Sequence, residues 1–288
     1  MRRIALINDL SGFGKCSLTA AIPVISVMGM QACPLPTAIL SSQCGFKNYF
    51  CDDYTDNMEK IAEKWKQIGV DFDGIYSGYL TCYEQVEKLK HFLEDFKKEN
   101  TIYLCDPVMA DNGRPYSMFC EIFLNKMKQL TLKADVITPN LSELCLLANK
   151  DFFELTANSG EADYIQQIEN ICKRLLSEAE VSQTIIVTGI ITNKNGRKYM
   201  GNLAVNKNDR FYIENEYIGK SFSGTGDLFA SVICGSMVKG VPFKQAVETA
   251  TNFIQSAVTD TANNDIDSNH GVNFEKYLFQ LMERRFYE

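Results

Sequence analysis

The sequence predicts an α/β fold in which a mostly parallel, doubly wound sheet is covered by helices on both faces. Short β-rich apolar runs alternate with amphipathic helical segments along all 288 residues, and this alternation is typical of parallel strands joined by helical crossovers. The strand-like runs also end in polar or turn residues, as expected where carboxyl ends of strands line a ligand crevice. No linker or repeat interrupts the pattern, so we expect a single domain over residues 1–288.

The predicted elements follow in regular order. A strand at residues 4–8 is followed by a helix ending near Gly29 and by a second strand at residues 33–40. Residues 52–69 predict an amphipathic helix, because apolar residues recur at helical spacing and a glycine suits its C-terminal cap. Four further strand-like runs read GIYSGYL, TIYLCDP, ADVITPN and TIIVTGI. YMGNLAV and RFYIENEYI, separated by NKND, predict a late antiparallel hairpin, and three helical segments close the chain.

Composition excludes several classes of protein. The net charge is −7 and no block of lysine and arginine forms a phosphate-tracking patch, which argues against nucleic-acid binding. No apolar run approaches the ~20 residues that span a bilayer, and the N-terminal apolar stretch is too short for a signal peptide. Ten cysteines show no paired metal-binding spacing, which indicates reduced, mostly buried thiols and a cytoplasmic location. His91 and His270 are the only histidines, so chemistry is expected to rest on carboxylates, backbone donors and a metal.

The strongest single motif is SGTGD, residues 223–227. Gly224 and Gly226 are expected to allow backbone geometry closed to other residues, and so to expose N–H groups at a helix start. These donors and the helix dipole would form an anion site around Thr225, with Asp227 placed to take a proton from an attacking hydroxyl. A simple capping role is the alternative, but the apolar helix that follows must be buried, and a buried helix start needs a partner.

Two other motifs leave alternatives open. In TPNLSEL, Asn140 and Glu143 fit a capping box, and they fit an oxygen site for Mg²⁺ equally well. In CDPVMADNGRPY, Asp106 directly follows a strand and precedes a polar loop that either moves over a site or merely connects. GFGKCS is not a P-loop, because Asp9 stands where the first glycine is required, and Lys15 is expected to be solvated.

The segments INDLSGFG, YSGYL, DPVM, DNG, TPNLSE, VTG and SGTGD, in this order, resemble the ribokinase-like superfamily, and most closely its pyridoxal/pyridoxamine (vitamin B6) kinases. The resemblance covers nearly the whole chain. It implies the superfamily's doubly wound α/β fold and ATP-dependent phosphorylation of the hydroxymethyl group of a B6 vitamer. It implies ATP and Mg²⁺ as cofactors, with a monovalent cation such as K⁺ left open, and a homodimer. Charge and hydropathy, as above, predict no nucleic-acid or membrane partner.

The resemblance also implies roles for particular residues. Asp227 matches the catalytic base, and Gly224, Thr225 and Gly226 match the anion hole for the γ-phosphate. Asp106 and Glu143 match carboxylates near the phosphates and Mg²⁺. The remaining nucleotide positions are Asn140, Thr188, Gly189 and a flap from Asp111 through Gly113 to Tyr116. The vitamer would be held by Asp9, Ser11, Cys44 and Tyr79, together with Asp227.

Two departures bear on the acceptor. Many B6 kinases carry a His-Thr-Gly-Tyr-like element where this sequence has Gln43-Cys44-Gly45-Phe46, so a thiol replaces a hydroxyl. Asp9 stands where serine is common, and a carboxylate there would favour a protonated pyridine or the amine of pyridoxamine. The alternatives are a hydroxymethylpyrimidine (phosphate) kinase and a non-catalytic nucleotide-binding regulatory protein. A sugar kinase fits less well, because Tyr79 and Phe46 suggest a planar ring.

Overall fold

The structure, a computed structural model, describes residues 1–157, 159–160, 163–264 and 266–282. One nine-stranded sheet has the strand order β11-β10-β9-β8-β5-β4-β1-β2-β3, and β6 and β7 form a separate hairpin. The strands are β1 (Arg3–Ser11), β2 (Gln31–Leu40), β3 (Cys51–Asp53), β4 (Gly74–Ser77), β5 (Ile102–Cys105), β6 (Ala110–Asp111), β7 (Arg114–Pro115), β8 (Val136–Ile137), β9 (Thr184–Lys194), β10 (Arg197–Val205) and β11 (Arg210–Glu216).

Helices cover both faces of this sheet. They are α1 (Ser17–Val27), α2 (Thr55–Gln67), α3 (Tyr83–Phe96), α4 (Glu121–Thr131), α5 (Leu141–Leu147), α6 (Phe152–Ala157), α7 (Tyr164–Glu178), α8 (Thr225–Lys239) and α9 (Phe243–Ala262). Helices α2 to α7 pack on one face, and α1, α8 and α9 pack on the other. Strand β1 contributes side chains to the hydrophobic core on each face of the sheet. Ala5 and Ile7 point to the first face, and Ile4 and Leu6 point to the second. The expected doubly wound fold is confirmed.

The sheet reverses its winding at β1. Strand β1 pairs in parallel with β2 on one side and with β4 on the other, and β4 continues in parallel to β5. The crossovers from β1 and β4 therefore leave in opposite directions. The carboxyl ends of β1 and β4 form the topological switch point, where open α/β sheets bind ligands.

The strand boundaries differ from the sequence expectations in places. Strand β2 contains Pro34 and Pro36, which lack the N–H group of a ladder, and both lie where β3 does not pair with β2. Strand β9 runs on past the parallel part of the sheet and pairs antiparallel with β10, so the late hairpin is a three-stranded antiparallel extension. The third closing helix is in fact two short 3-10 helices, Ser268–His270 and Glu275–Leu281.

Several smaller expectations can be checked against burial. His91 is exposed on α3, as expected. All ten cysteines are free, but only five are buried, and Cys44, Cys51 and Cys120 are exposed. No helix in the described part of the chain is both long and apolar enough to cross a membrane.

Candidate active site

The first turn of helix α8 lies over the switch point of the sheet. Helix α8 is buried from Leu228 to Ser236, because it packs between the sheet and helices α1 and α9. Its N-terminal end carries Asp227, whose carboxylate meets groups from both strands that flank the switch point. The sequence motif SGTGD is thus brought to the place where the fold itself predicts a ligand.

Asp227 is held by a buried asparagine and a buried tyrosine. Asn8 on β1 donates from Nδ2 to Asp227 Oδ1 at 3.0 Å, and the Tyr76 hydroxyl on β4 donates to the same oxygen at 3.4 Å. The pKa of Asp227 is raised to about 6, because burial and the charge of Asp9 raise it by more than the hydrogen bonds from Ser17, Asn8 and Tyr76 lower it. A carboxylate with this pKa is a competent base near neutral pH.

The start of α8 offers backbone N–H groups toward the crevice. No side chain caps the helix, and the first helical bond runs from Leu228 N to Gly224 O at 3.0 Å. The N–H groups of Thr225, Gly226 and Asp227 precede that bond, so they need an external acceptor. Together with the helix dipole they form an anion site.

The two glycines of this turn serve different purposes. Gly224 has φ +81°, and a Cβ there would lie 1.9 Å from the carbonyl oxygen of Lys15, so both conformation and space require glycine. Gly226 has no positive φ, which corrects the expectation that both glycines adopt special geometry. A Cβ on Gly226 would meet only Asp106 Oδ2, at 3.9 Å. Gly226 therefore leaves space open between the helix start and a carboxylate.

Asp106 closes the other side of this space. Its Oδ1 accepts from the Thr138 hydroxyl at 3.0 Å, which leaves Oδ2 facing Gly226. Burial, and next the charge of Asp227, raise the pKa of Asp106 well above its ordinary value. A cation between these carboxylates would relieve their repulsion, so Mg²⁺ fits the donor chemistry. Within the described ranges no group of three or more His, Cys, Asp or Glu could hold a metal alone, and Mg²⁺ commonly completes its shell with phosphates and water.

Glu143 and Asn140 form the capping box at the start of α5. Glu143 N donates to Asn140 Oδ1 at 3.0 Å, and Asn140 N donates to Glu143 Oε2 at 2.8 Å. Glu143 Oε1 accepts from Met109 N at 3.0 Å, so both carboxylate oxygens hold backbone N–H groups. Burial and the charge of Asp106 raise the pKa of Glu143 well above its ordinary value. The direct contacts of Glu143 are therefore structural.

The polar loop after Asp106 is a short hairpin fastened to α5. Strands β6 and β7 pair around Asn112 and Gly113, both at positive φ. Asn140 Nδ2 donates to Ala110 O at 2.8 Å, and Gly113 N donates to Ser142 Oγ at 2.8 Å. Asp111 is exposed, and Tyr116 is 40% exposed where the hairpin ends. The first turn of α5 thus fixes the position of this flap.

The expected acceptor residues gather around the carboxyl end of β1. Asp9 is buried and accepts from the Ser11 hydroxyl at 2.8 Å. Asn8 Oδ1 accepts from Asp9 N at 3.0 Å and from Tyr79 N at 2.8 Å, so one amide connects both to Asp227. Gly12 N donates to Leu40 O at 2.8 Å and Gln43 N donates to Phe13 O at 2.9 Å, which brings the segment that carries Cys44 beside the end of β1. Burial, and next the charges of Cys44 and Asp9, raise the pKa of Tyr79.

Thr188 and Gly189 do not end a strand, which corrects the sequence expectation. The parallel pairing of β9 stops at Thr188, which bridges Asn140, and the strand then continues to Lys194. Gly189 has φ +68°, and Thr188 and Gly189 together lie opposite Asn202, which makes a β-bulge. The bulge keeps these two residues beside the α5 start, at the same edge of the sheet as Asp106.

Comparisons with known proteins place the chain in a family. The profile of the family described as phosphomethylpyrimidine kinase matches residues 16–273. The chain belongs to this family. A Bacteroides thetaiotaomicron protein assigned as a phosphomethylpyrimidine kinase was crystallised with pyridoxal. It is 35% identical to this chain, and the two structures match with a TM-score of 0.88 over 97% of this chain and 95% of that one.

Two pyridoxal kinases are also similar. The crystal structure from Lactobacillus plantarum shares the fold at 24% identity, with a TM-score of 0.85 over 98% of this chain and 96% of that one. The Dictyostelium discoideum enzyme is 22% identical over 94% of this chain and 89% of its own length. The expected relation to ribokinase-like B6 kinases is confirmed, and so is the assignment as an ATP-dependent kinase.

Asn8 and Tyr76 are site residues of this phosphomethylpyrimidine kinase family member that the sequence pattern did not predict. Both lie inside apolar strand sequences, and the only signal was a polar atom at a strand end that faces the crevice. A side chain at Gly78 would lie 2.4 Å from Asn8 Nδ2, which explains the glycine there. Lys15 is paired rather than solvated, because its Nζ contacts Glu275 Oε2 at 2.9 Å and Asn273 Oδ1 at 3.0 Å.

Proposed function

We propose that the chain transfers the terminal phosphoryl group of ATP to the hydroxymethyl group of a vitamin B6 vitamer. The observation that carries this proposal is the position of Asp227. Its half-buried carboxylate lies next to three N–H groups at the start of α8 and across an open space from Asp106. A base, an anion site and a second carboxylate therefore face one small volume at the switch point, as transfer of a phosphoryl group to an alcohol requires.

In the proposed reaction, Asp227 takes the proton of the alcohol as its oxygen attacks phosphorus. Asn8 and Tyr76 orient the accepting carboxylate, since both donate to Oδ1. The N–H groups of residues 225–227 hold the charge of the group in transfer, and they are in place before the reaction because the helix fixes them. Catalysis then depends on positioning and electrostatics, which is usual for phosphoryl transfer.

Asp106 is the residue that we expect to hold Mg²⁺. When bound, Mg²⁺ would offset the charge of the phosphates. Glu143 is proposed to act indirectly on the nucleotide. Its carboxylate oxygens accept from the backbone N–H groups of Met109 and Asn140 and so fix the segment that carries the flap. Asn140, Thr188 and Gly189 lie at the same edge and are proposed to line the path of the nucleotide phosphates, with Asp111, Gly113 and Tyr116 above them.

The acceptor ring is proposed to lie among Asp9, Ser11, Cys44 and Tyr79. The pyridoxal bound by the Bacteroides protein supports a vitamer here, because that protein is similar over almost the whole chain. Burial raises the pKa of Asp9, so a ring nitrogen that carries a proton would be a favourable partner for its carboxylate. A hydroxymethylpyrimidine is the second candidate, favoured by the family profile over residues 16–273.

An acceptor panel tests this proposal. ADP formation would be measured with pyridoxal, pyridoxine, pyridoxamine, hydroxymethylpyrimidine and ribose, in the chain and in Asp9→Asn. We expect the highest kcat/KM with a B6 vitamer, and a loss of discrimination among vitamers in Asp9→Asn. A preference for hydroxymethylpyrimidine would move the assignment to the second candidate, and no turnover with any acceptor would favour a non-catalytic regulatory protein.

A further inference from the structure

Three segments that are distant in sequence meet beside the acceptor crevice. They are the loop between β1 and α1, the Cys44 loop (residues 41–50) and the 3-10 turn Ser268–His270. One aromatic side chain from each packs at their junction, with ring centroids 5.5 Å apart for Phe13 and Phe46, 5.2 Å for Phe13 and His270, and 5.7 Å for Phe46 and His270. Phe13 is 53% exposed, so this contact alone would be a weak fastening.

The stronger link is a buried amide. Gln43 is 6% exposed, and its Nε2 donates to Asn269 O at 3.1 Å and to Asn269 Oδ1 at 3.0 Å. Gln43 Oε1 accepts from Gly45 N at 2.8 Å, and Gln43 N donates to Phe13 O at 2.9 Å. Gly45 packs directly on the turn, since a Cβ there would lie 2.3 Å from Asn269 Oδ1. A buried amide that lost these partners would be left unsatisfied, so the loop is bound to the turn.

This link places Cys44 and also reaches the anion site. Cys44 lies between Gln43 and Gly45, the two residues that contact the turn. Burial raises the pKa of the Cys44 thiol, and the charge of Asp9 raises it further. On the other side of the turn, Ser223 N donates to Ser268 O at 3.1 Å, one residue before Gly224. One short turn therefore holds both the Cys44 loop and the entry to helix α8.

We propose that Asn269 is a positioning residue, which acts through Gln43 to hold the Cys44 loop against the acceptor crevice. Its side chain contacts the Cys44 loop, whereas the link to the anion site uses the backbone oxygen of Ser268. Loss of the Asn269 side chain should therefore loosen acceptor binding and leave the nucleotide side unchanged. The effect on acceptor binding rests on the proposed function, but the effect on the loop does not.

The test compares Asn269→Ala with Asn269→Asp. Alanine removes Asn269 Oδ1, one of the two oxygens that accept from Gln43 Nε2, and leaves only the main-chain oxygen, whereas aspartate keeps both. We expect the KM for the preferred vitamer to rise roughly tenfold in Asn269→Ala, with the KM for ATP and kcat within about twofold. Asn269→Asp should restore most of the acceptor affinity. Gln43→Glu replaces the donor by a carboxylate oxygen that faces the two acceptor oxygens of Asn269, so it should reproduce the alanine phenotype.

A second readout needs no acceptor. Alkylation by iodoacetamide, resolved by peptide mass spectrometry, should be several-fold faster at Cys44 in Asn269→Ala and in Gln43→Glu. Cys120, which is also exposed but lies before α4, should react at an unchanged rate. An unchanged rate at Cys44 would overturn the proposal. So would faster labelling of Cys120 together with a raised KM for ATP, because that result means general loosening. If no acceptor is turned over, the proposed function fails while labelling still decides the role of Asn269.

Discussion

Replacing Gly226 with alanine separates the stability of helix α8 from its proposed binding of a phosphoryl group. Gly226 lies in the first turn without positive φ, so alanine is compatible with its backbone. The added methyl group meets only Asp106 Oδ2 at 3.9 Å, an ordinary contact. Alanine in place of glycine in a helix favours folding by up to ~0.5–1 kcal/mol, and by less in a first turn. We therefore expect the melting temperature to be unchanged or to rise by about 1–3 °C.

The activity should change in the opposite direction. The methyl group projects into the space between the N–H groups of residues 225–227 and Asp106, where the transferred group is proposed to pass. Alanine keeps the N–H of residue 226, but its methyl group would hold the transferred group away from that donor. Complete loss of one donor at such a site costs roughly 10²–10³-fold in kcat, so we expect a fall of at least tenfold. Steady-state ADP formation and thermal unfolding would be measured on the same preparation.

Two other glycines serve as controls. Gly160→Ala has open space around its Cβ and no positive φ, so it should leave both activity and stability unchanged. Gly224→Ala should destabilise the chain, because its Cβ would lie 1.9 Å from Lys15 O at φ +81°. Normal kcat in Gly226→Ala would refute the reasoning, since it would mean that the phosphoryl group does not pass between the helix start and Asp106.

Two further predictions concern the base and the flap. Asp227→Asn should lower kcat by ~10²–10⁴-fold and remove the rise of kcat/KM through pH about 6 that the raised pKa of Asp227 imposes. The pKa of Asp227 in the folded chain lies above its ordinary value of 3.8, so the folded state loses stability as pH rises from about 4 to 6. Asparagine carries no charge and avoids this loss. Urea unfolding should therefore find Asp227→Asn more stable than the unaltered chain by about 1–3 kcal/mol at pH 8, but not at pH 4. Equal stability at both values would show that the carboxylate is not desolvated. Ser142→Ala removes the acceptor of Gly113 N, so amide exchange at residues 110–114 should accelerate and the KM for ATP should rise several-fold. Ser142→Thr keeps the hydroxyl and is the control. Unchanged exchange in Ser142→Ala would contradict an anchored flap.

The contacts of α5 give a physical reason for its sequence. The capping box is present, and the same residues also hold the hairpin after Asp106 through Asn140, Ser142 and Glu143. The capping and functional interpretations of this motif are therefore not exclusive. A residue that satisfies the start of a helix can also fix the segment beside it.

The sequence by itself determined the fold class and most of the candidate site. Hydrophobic periodicity sets the order of strands and helices, and parallel strands bring their carboxyl ends to one edge whatever the loops do. Asp9, Asp106 and Asn140 were predicted by this rule, because each follows a strand-like run of the sequence, although β1 in the structure extends past Asp9 to Ser11. The burial of α8 was likewise evident, since its residues are apolar on every side.

Only the tertiary structure decided which polar groups meet. Asn8 lies 219 positions from Asp227 and Gln43 lies 226 from Asn269, and no local pattern encodes contacts of that separation. It also decided that Gly224 is required by φ and space while Gly226 only leaves room, because the carbonyl of Lys15 and the carboxylate of Asp106 come from other elements. Local propensity is read from neighbours in the chain, whereas hydrogen bonds and excluded volume depend on neighbours in space.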